Sequence, residues 1–261
     1  MPAVMQSIGL VDKDTSSPDS KIVYKYTYAS RDFSPTFTTT DVRPGSKPNL
    51  QLETFNYPIL HSFGWWTPEC KPAIYLYPEQ TTDVHVTVDP VGYLTYTDPL
   101  YPKGGWKVTA HPDGSIESGK KTYPYLYYES KIRDAAITKP TKGYVVPVHD
   151  LPGLFSDILP KLGLSPQEIF DFKDYWENKL TAAPYYFVGV MENEAIDAIE
   201  PMAIIPQPDT VIRVRLYFEA LDAKQSVVAP AITTPERRGF VVAEWGGLVK
   251  ADKNHPFTCS Q

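Results

Sequence analysis

The residues of this 261-residue chain best suited to chemistry are carboxylates and arginines set among aromatic rings. Glu129 closes the tyrosine-rich run over residues 123–128, and Glu244 stands directly before Trp245-Gly246-Gly247. A carboxyl group partly desolvated beside rings has its pKa raised toward neutral pH, so two such groups can divide acid and base roles between them. Arg213 and Arg215 fall on one side of the alternating run 211–218, where they can neutralise an acid or hold an anionic group by a bidentate contact. Tyr75, Tyr77, Trp106, Tyr125, Tyr127 and Trp245 supply rings for a substrate pocket.

Glu129 and Glu244 are therefore the expected catalytic pair, with the rings and the two arginines expected to bind substrate. The chemistry would be cofactor-independent hydrolysis, elimination or isomerisation of a glycan or a ring-containing small molecule. The same residues also suit a non-catalytic β-sandwich module that stacks on carbohydrate or on a protein partner. A structural ion-pair network of Glu129, Glu244 and the arginines is a third use of them.

Other chemistries find little support. The five histidines, at 61, 85, 111, 149 and 255, show no paired ligand spacing, so no metal and no cofactor are expected. No G-x-S-x-G elbow and no phosphate-binding glycine motif is present. Cys70 and Cys259 are too few for a disulfide framework. The reading favours unpaired thiols, with Cys259→Ser expected to be mild. A formal charge of −6, with no basic cluster longer than Arg237-Arg238, argues against nucleic acid and anionic membranes as partners. No apolar run approaches the ~20 residues needed to cross a bilayer. The first 20 residues lack an apolar leader core, so a cytoplasmic location is expected, or a secreted one if a leader has been trimmed.

The elements that must position these residues are short, as 26 prolines imply. Residues 1–20 read as a mobile tail, 21–28 as a half-buried strand adding to the sheet that follows, and 31–48 as an irregular arm pinned by Phe33 and Phe37. Trp65 and Trp66 could cap a sheet or stack a ligand. Pro72 and Pro78 bracket a strand, followed by a meander through residues 84–88, 92–96, 106–110 and 123–129. Tyr123, Tyr125 and Tyr127 are expected to share one face. Residues 151–162 have a helical period, and Ser165-Pro166-Gln167-Glu168 is a capping box opening a helix to about residue 180. Strands follow at 185–190, 201–205, 211–218 and 239–245. The expected fold is a β-rich α+β protein: a sandwich-like meander over residues 21–138 packed against an α+β part over 139–250, with one main helix and a tail from 251.

Several motifs recur together. KPAIYLYPE at 71–79, the GW-x-V-x-A-x-PDG pattern from Gly105, Tyr175-Trp176, Pro208-Asp209, and Arg238-Gly239-Phe240 leading to Glu244-Trp245-Gly246-Gly247 resemble a family of mostly bacterial proteins over roughly residues 70–248. The resemblance implies a shared fold and directs attention to the Tyr, Trp, Glu and Arg positions, but it brings no mechanism.

Overall fold

The computed structural model describes residues 8–13, 22–26, 36–39, 50–54 and Trp66 by their backbone, and residues 67–250 with 252, 254, 255, 257 and 259 in full. The chain divides into two compact units, Met1–Phe63 and Gly64–Gln261. In the first, β1 (Ile8–Lys13), β2 (Ile22–Tyr26), β3 (Thr36–Thr39) and β4 (Leu50–Thr54) form an antiparallel sheet in chain order. The strand expected over 21–28 thus pairs with β1 and β3 rather than with the later meander. Residues 8–13 of the expected tail and 36–39 of the expected arm are strands. The side chains of Phe33, Phe37, Trp65 and Trp66 lie outside the described residues.

The second unit contains β5 (Trp66–Tyr77), β6 (Thr82–Val88), β7 (Gly92–Asp98), β8 (Trp106–Ala110), β9 (Ile116–Ser118), β10 (Lys121–Tyr123), β11 (Leu126–Arg133), β12 (Tyr144–Pro147), β13 (Tyr185–Val190), β14 (Met202–Ile205), β15 (Thr210–Leu221) and β16 (Val241–Val249). Three helices join them: α1 (Leu151–Lys161), α2 (Pro166–Trp176) and α3 (Asn193–Ile199). The result is a β-rich α+β fold. A seven-stranded sheet runs in the order β12-β13-β15-β16-β5-β11-β7, and a five-stranded sheet in the order β10-β9-β8-β6-β14. The larger sheet takes strands from both sides of the junction expected near residue 138, because β5 pairs with β16 and so joins the early meander to the late strands in one ladder.

Pairing in these two sheets is antiparallel except between β15 and β16. Parallel neighbours need a long crossover, which residues 222–240 supply without a helix. Arg237 anchors this crossover with a bidentate pair to the buried Glu168, at 2.9 and 3.0 Å. Glu168 is also the third helical residue of the α2 capping box, accepting from Ser165 N at 2.7 Å. One carboxylate therefore fixes both a helix start and a strand connection.

Helices α1 and α2 cover one face of the large sheet, where Phe155, Phe172 and Trp176 pack on Trp245, Phe218 and Tyr75. On the opposite face the five-stranded sheet covers Ile74, Leu76 and Val242, while α3 covers Phe187, Tyr217 and Leu248. Two adjacent glycines in β16 make both contacts possible. A Cβ on Gly246 would lie 2.5 Å from the Arg215 guanidinium, and one on Gly247 would lie 2.4 Å from the Trp176 ring. Each glycine thus opens room on its own side of the sheet.

Strand β5 is not confined between Pro72 and Pro78 as the sequence suggests: it begins at Trp66 and runs through Pro68 and Pro72. Its pairing with β16 shifts register between Trp245 and Gly247, so Lys71 and Pro72 together oppose Gly246. This is a bulge, and it lets the proline lie in the strand with no N–H to donate.

Candidate functional site

Strand parity in the large sheet sorts the expected site residues onto two faces. On the face covered by the helices lie Tyr75, Tyr77, Tyr125, Tyr127, Trp245 and Glu129. On the face covered by the small sheet and α3 lie Arg213, Arg215 and Glu244, while Trp106 belongs to β8 of the small sheet and packs near Tyr128 of this face. Glu129 and Glu244 therefore point to opposite sides of one sheet. Tyr123 does not join the tyrosine row: it belongs to β10 and packs against the core beneath the small sheet.

The second face holds a buried polar network in the seam between two apolar clusters. Arg215 pairs with Glu69, with Glu200 at 2.9 Å and with Glu244 at 3.2 Å. Arg213 donates from Nε to Glu244 at 2.7 Å, from Nη1 to Asp197 at 2.5 Å and from Nη2 to the Glu200 carbonyl at 3.1 Å. Tyr128 Oη lies 2.7 Å from Glu200 and 2.6 Å from Glu244, and Ser130 Oγ lies 2.9 Å from Glu69 and 3.3 Å from Glu200.

Proton counting assigns the charges. The two hydroxyls carry one proton each, yet each stands between two carboxyl groups, and Glu200 is the partner common to both. A proton on Glu200 gives three protons for these four contacts, and donation from its Oε1 to Ser130 leaves the serine free to donate to Glu69. It also balances the buried charge, because two guanidinium groups then face the two buried carboxylates of Glu69 and Glu244, Asp197 being exposed. The pKa values agree in direction: burial, reinforced by the neighbouring Glu69 charge, pushes Glu200 well up. Burial also acts to raise Glu244, but Arg213 and Arg215 outweigh it and hold this carboxyl at about 2. A proton-transfer group needs to change state near working pH, and a carboxyl clamped between two arginines does not. Glu244 and Arg215 are thus closed into structure, and Trp106 lies buried beneath the small sheet, giving its indole N–H to the Pro99 carbonyl at 2.9 Å.

The first face is more open. Lys71 sits at φ +56°, a left-handed conformation that costs a non-glycine residue strain. The bulge turns its side chain onto the helix-covered face, where Nζ lies 4.9, 4.3 and 5.8 Å from the ring centres of Tyr125, Tyr127 and Tyr175 and donates to Tyr125 Oη at 3.0 Å. The Tyr127 hydroxyl donates to Glu129. Burial raises the Glu129 pKa, partly countered by that hydrogen bond and by the charges of Lys179 and Lys71. Tyr96, on edge strand β7, sets its ring 5.4 Å from that of Tyr127 at an interplanar angle of 49° and is 41% exposed. Tyr75, Tyr77 and Trp245 sit deeper: Tyr75 donates to Asp171 at 2.8 Å, Trp245 is fully buried, and Tyr77 carries the Arg237 guanidinium over its ring.

Comparison with protein-family models, with curated protein sequences and with solved structures finds no match. The geometry thus stands by itself. Lys71, Tyr96, Tyr175 and Lys179 were not among the expected site residues, although Lys71 and Tyr175 stand in motifs that the sequence singled out. A residue before proline ordinarily stays extended, so nothing local to Lys71-Pro72 foretold its turn toward the tyrosines. Among the described residues, no group of three or more His, Cys, Asp or Glu is placed to hold a metal ion, and no helix is long and apolar enough to cross a membrane. Cys70 and Cys259 are joined in a disulfide, against the expectation of free thiols.

Proposed function

We propose that this chain binds a carbohydrate, or a ligand with a similarly polar ring, over Tyr96 and Tyr175 beside the buried Tyr127, with Lys71, Glu129 and Lys179 bonding its hydroxyl groups. The observation that carries this reading is the gathering of the exposed Tyr96 ring and the half-buried Tyr175 ring around the buried Tyr127, with a carboxyl group and ammonium groups on the same side of the sheet beside its β7 edge. A sugar ring offers apolar C–H faces to stack on tyrosine and hydroxyls that both donate and accept.

A second reading is favoured by the raised pKa of Glu129: the same site performs acid/base chemistry with Glu129 as its proton-transfer group. Two-carboxylate glycoside hydrolysis is not the form it takes, since that mechanism needs both acids roughly 5–9.5 Å apart around one bond. Elimination or isomerisation, with Lys71 stabilising developing negative charge, needs only one carboxyl.

Titrating a panel of oligosaccharides by calorimetry tests both readings. Tyr96→Ala is expected to weaken binding about fivefold, the loss of one stacking contact of ~1 kcal/mol, with the melting temperature unchanged. Glu129→Gln should preserve most of the binding, and where turnover is detected it should lower the rate by ~10²–10⁴-fold. A panel with no binder, or equal affinity in Tyr96→Ala, sinks the proposal.

A further inference from the structure

We propose that the groove along the outer edge of β14 captures an extended, basic peptide segment, which adds to the five-stranded sheet as a sixth strand. A cavity of about 690 Å³ lies there, lined by Met202, Ala203, Ile204 and Ile205 on one side and by Asn193, Asp197, Val211 and Arg213 on the other. Consecutive strand residues point to alternate faces, so all four residues of β14 can meet one cavity only along the strand's edge. That edge is open among the described residues, since β14 pairs with β6 alone. In an antiparallel pair half the backbone N–H and C=O groups face away from the partner strand, and here they face the groove. An extended peptide satisfies such groups with main-chain hydrogen bonds and gains specificity from its alternate side chains.

The edge is short, four residues between Pro201 and Pro206, but carries neither of the other features that normally block such pairing, a charge or a proline inside the strand. Its Met-Ala-Ile-Ile sequence has no charge and no proline within the strand, whereas β10 at the opposite edge carries Lys121. Ile205 and Val211 are 65% and 44% exposed and offer the guest apolar contact. The charge of the far wall selects its sign. Arg213 is buried and bonded to Glu244 and Asp197, whereas Asp197 itself is 62% exposed on the cavity wall, and Glu194 stands beyond the lining on the same helix, α3, which has no basic residue over its length. A lysine or arginine of the guest finds a carboxylate there, and an acidic guest is repelled.

The test uses the full chain and two fluorescently labelled hexapeptides, one alternating lysine with valine and one alternating glutamate with valine, followed by anisotropy at low and at physiological salt. The lysine peptide should bind at least tenfold more tightly than the glutamate peptide, and its affinity should fall with salt. Backbone amides of β14 should gain protection from hydrogen exchange in its presence. Glu194→Lys, an exposed change, should weaken the lysine peptide several-fold at unchanged melting temperature, and Ile205→Asp should weaken both peptides. No binding at 1 mM, equal binding of the two peptides, or protection appearing elsewhere than β14 overturns the proposal.

Discussion

Glu200 and Glu244 look alike in composition but behave oppositely, and this difference gives the sharpest prediction at the scale of single residues. Burial and the neighbouring Glu69 charge raise the Glu200 pKa well above its ordinary value in the folded chain. Its stabilising contribution is therefore complete below the ordinary carboxyl pKa of 4.5 and is lost as pH rises through the raised folded value. Glu244 is depressed to about 2, so its contribution is present above 4.5 and is lost as pH falls toward 2. Glu200→Gln replaces a neutral acid by a neutral amide that can still donate to Ser130. It is expected to match or exceed the parent in stability at pH 8 and to flatten the decline of stability with rising pH. Glu244→Gln strips a carboxylate from two buried guanidinium groups and should cost ~3–5 kcal/mol at the same pH. Denaturant unfolding at pH 5 and pH 8 checks both, and equal losses in the two variants would refute the proton assignment. Residue type announced part of this network, since Arg213, Arg215 and Glu244 already stood out in sequence. Glu69 and Glu200 were not legible, because they reach the seam only through strand pairing and the end of a helix that no local pattern connects to it.

Elements with local signals were the most readable. The capping box at Ser165-Pro166-Gln167-Glu168 and the apolar spacing of residues 151–162 announced α2 and α1, and the structure sets them at 166–176 and 151–161. The bulge in β5 was unreadable because it arises from a mismatch of register with two neighbouring strands. Two expectations fell with it: the proline-bounded strand, and the placing of Glu129 and Glu244 in one site, which parity along separate strands cannot establish. The bulge makes its own prediction. Lys71→Ala keeps a Cβ at φ +56° and loses the cation–ring contacts, whereas Lys71→Gly loses the same contacts but relieves the strain. Glycine should thus be more stable than alanine by ~1–2 kcal/mol, reversing their order in ordinary strands. Thermal unfolding of the two variants measures the difference. Alanine equal to or better than glycine would mean that the backbone at Lys71 does not adopt this conformation.

At the scale of the whole molecule the disulfide is the feature that composition least suggested. Cys70 lies fully buried in the middle of the large sheet, and Cys259 reaches it from beyond β16 after the chain passes over α2. On the way Phe257 stacks on Trp176 with ring centres 6.1 Å apart, and the Tyr175 hydroxyl donates to the Cys259 carbonyl at 3.3 Å. The C-terminal segment is thus fastened beside Lys71, at the back of the tyrosine cluster. The bond closes a loop spanning 189 positions, and limiting the unfolded chain over that length stabilises the fold by ~5 kcal/mol in the chain-entropy account. The mild Cys259→Ser effect expected from unpaired thiols gives way to a large one. Reduction, or Cys259→Ser, should lower the melting temperature by on the order of 10 °C, given ~2–4 °C per kcal/mol for a chain of this size. If the proposed ligand site is correct, it should also weaken saccharide binding, because Tyr175 loses the segment against which it is held. Intact-mass measurement after alkylation, with and without reductant, reads the pairing directly, and two alkylated thiols in the unreduced protein together with an unchanged melting temperature would show that the fold does not depend on this bond.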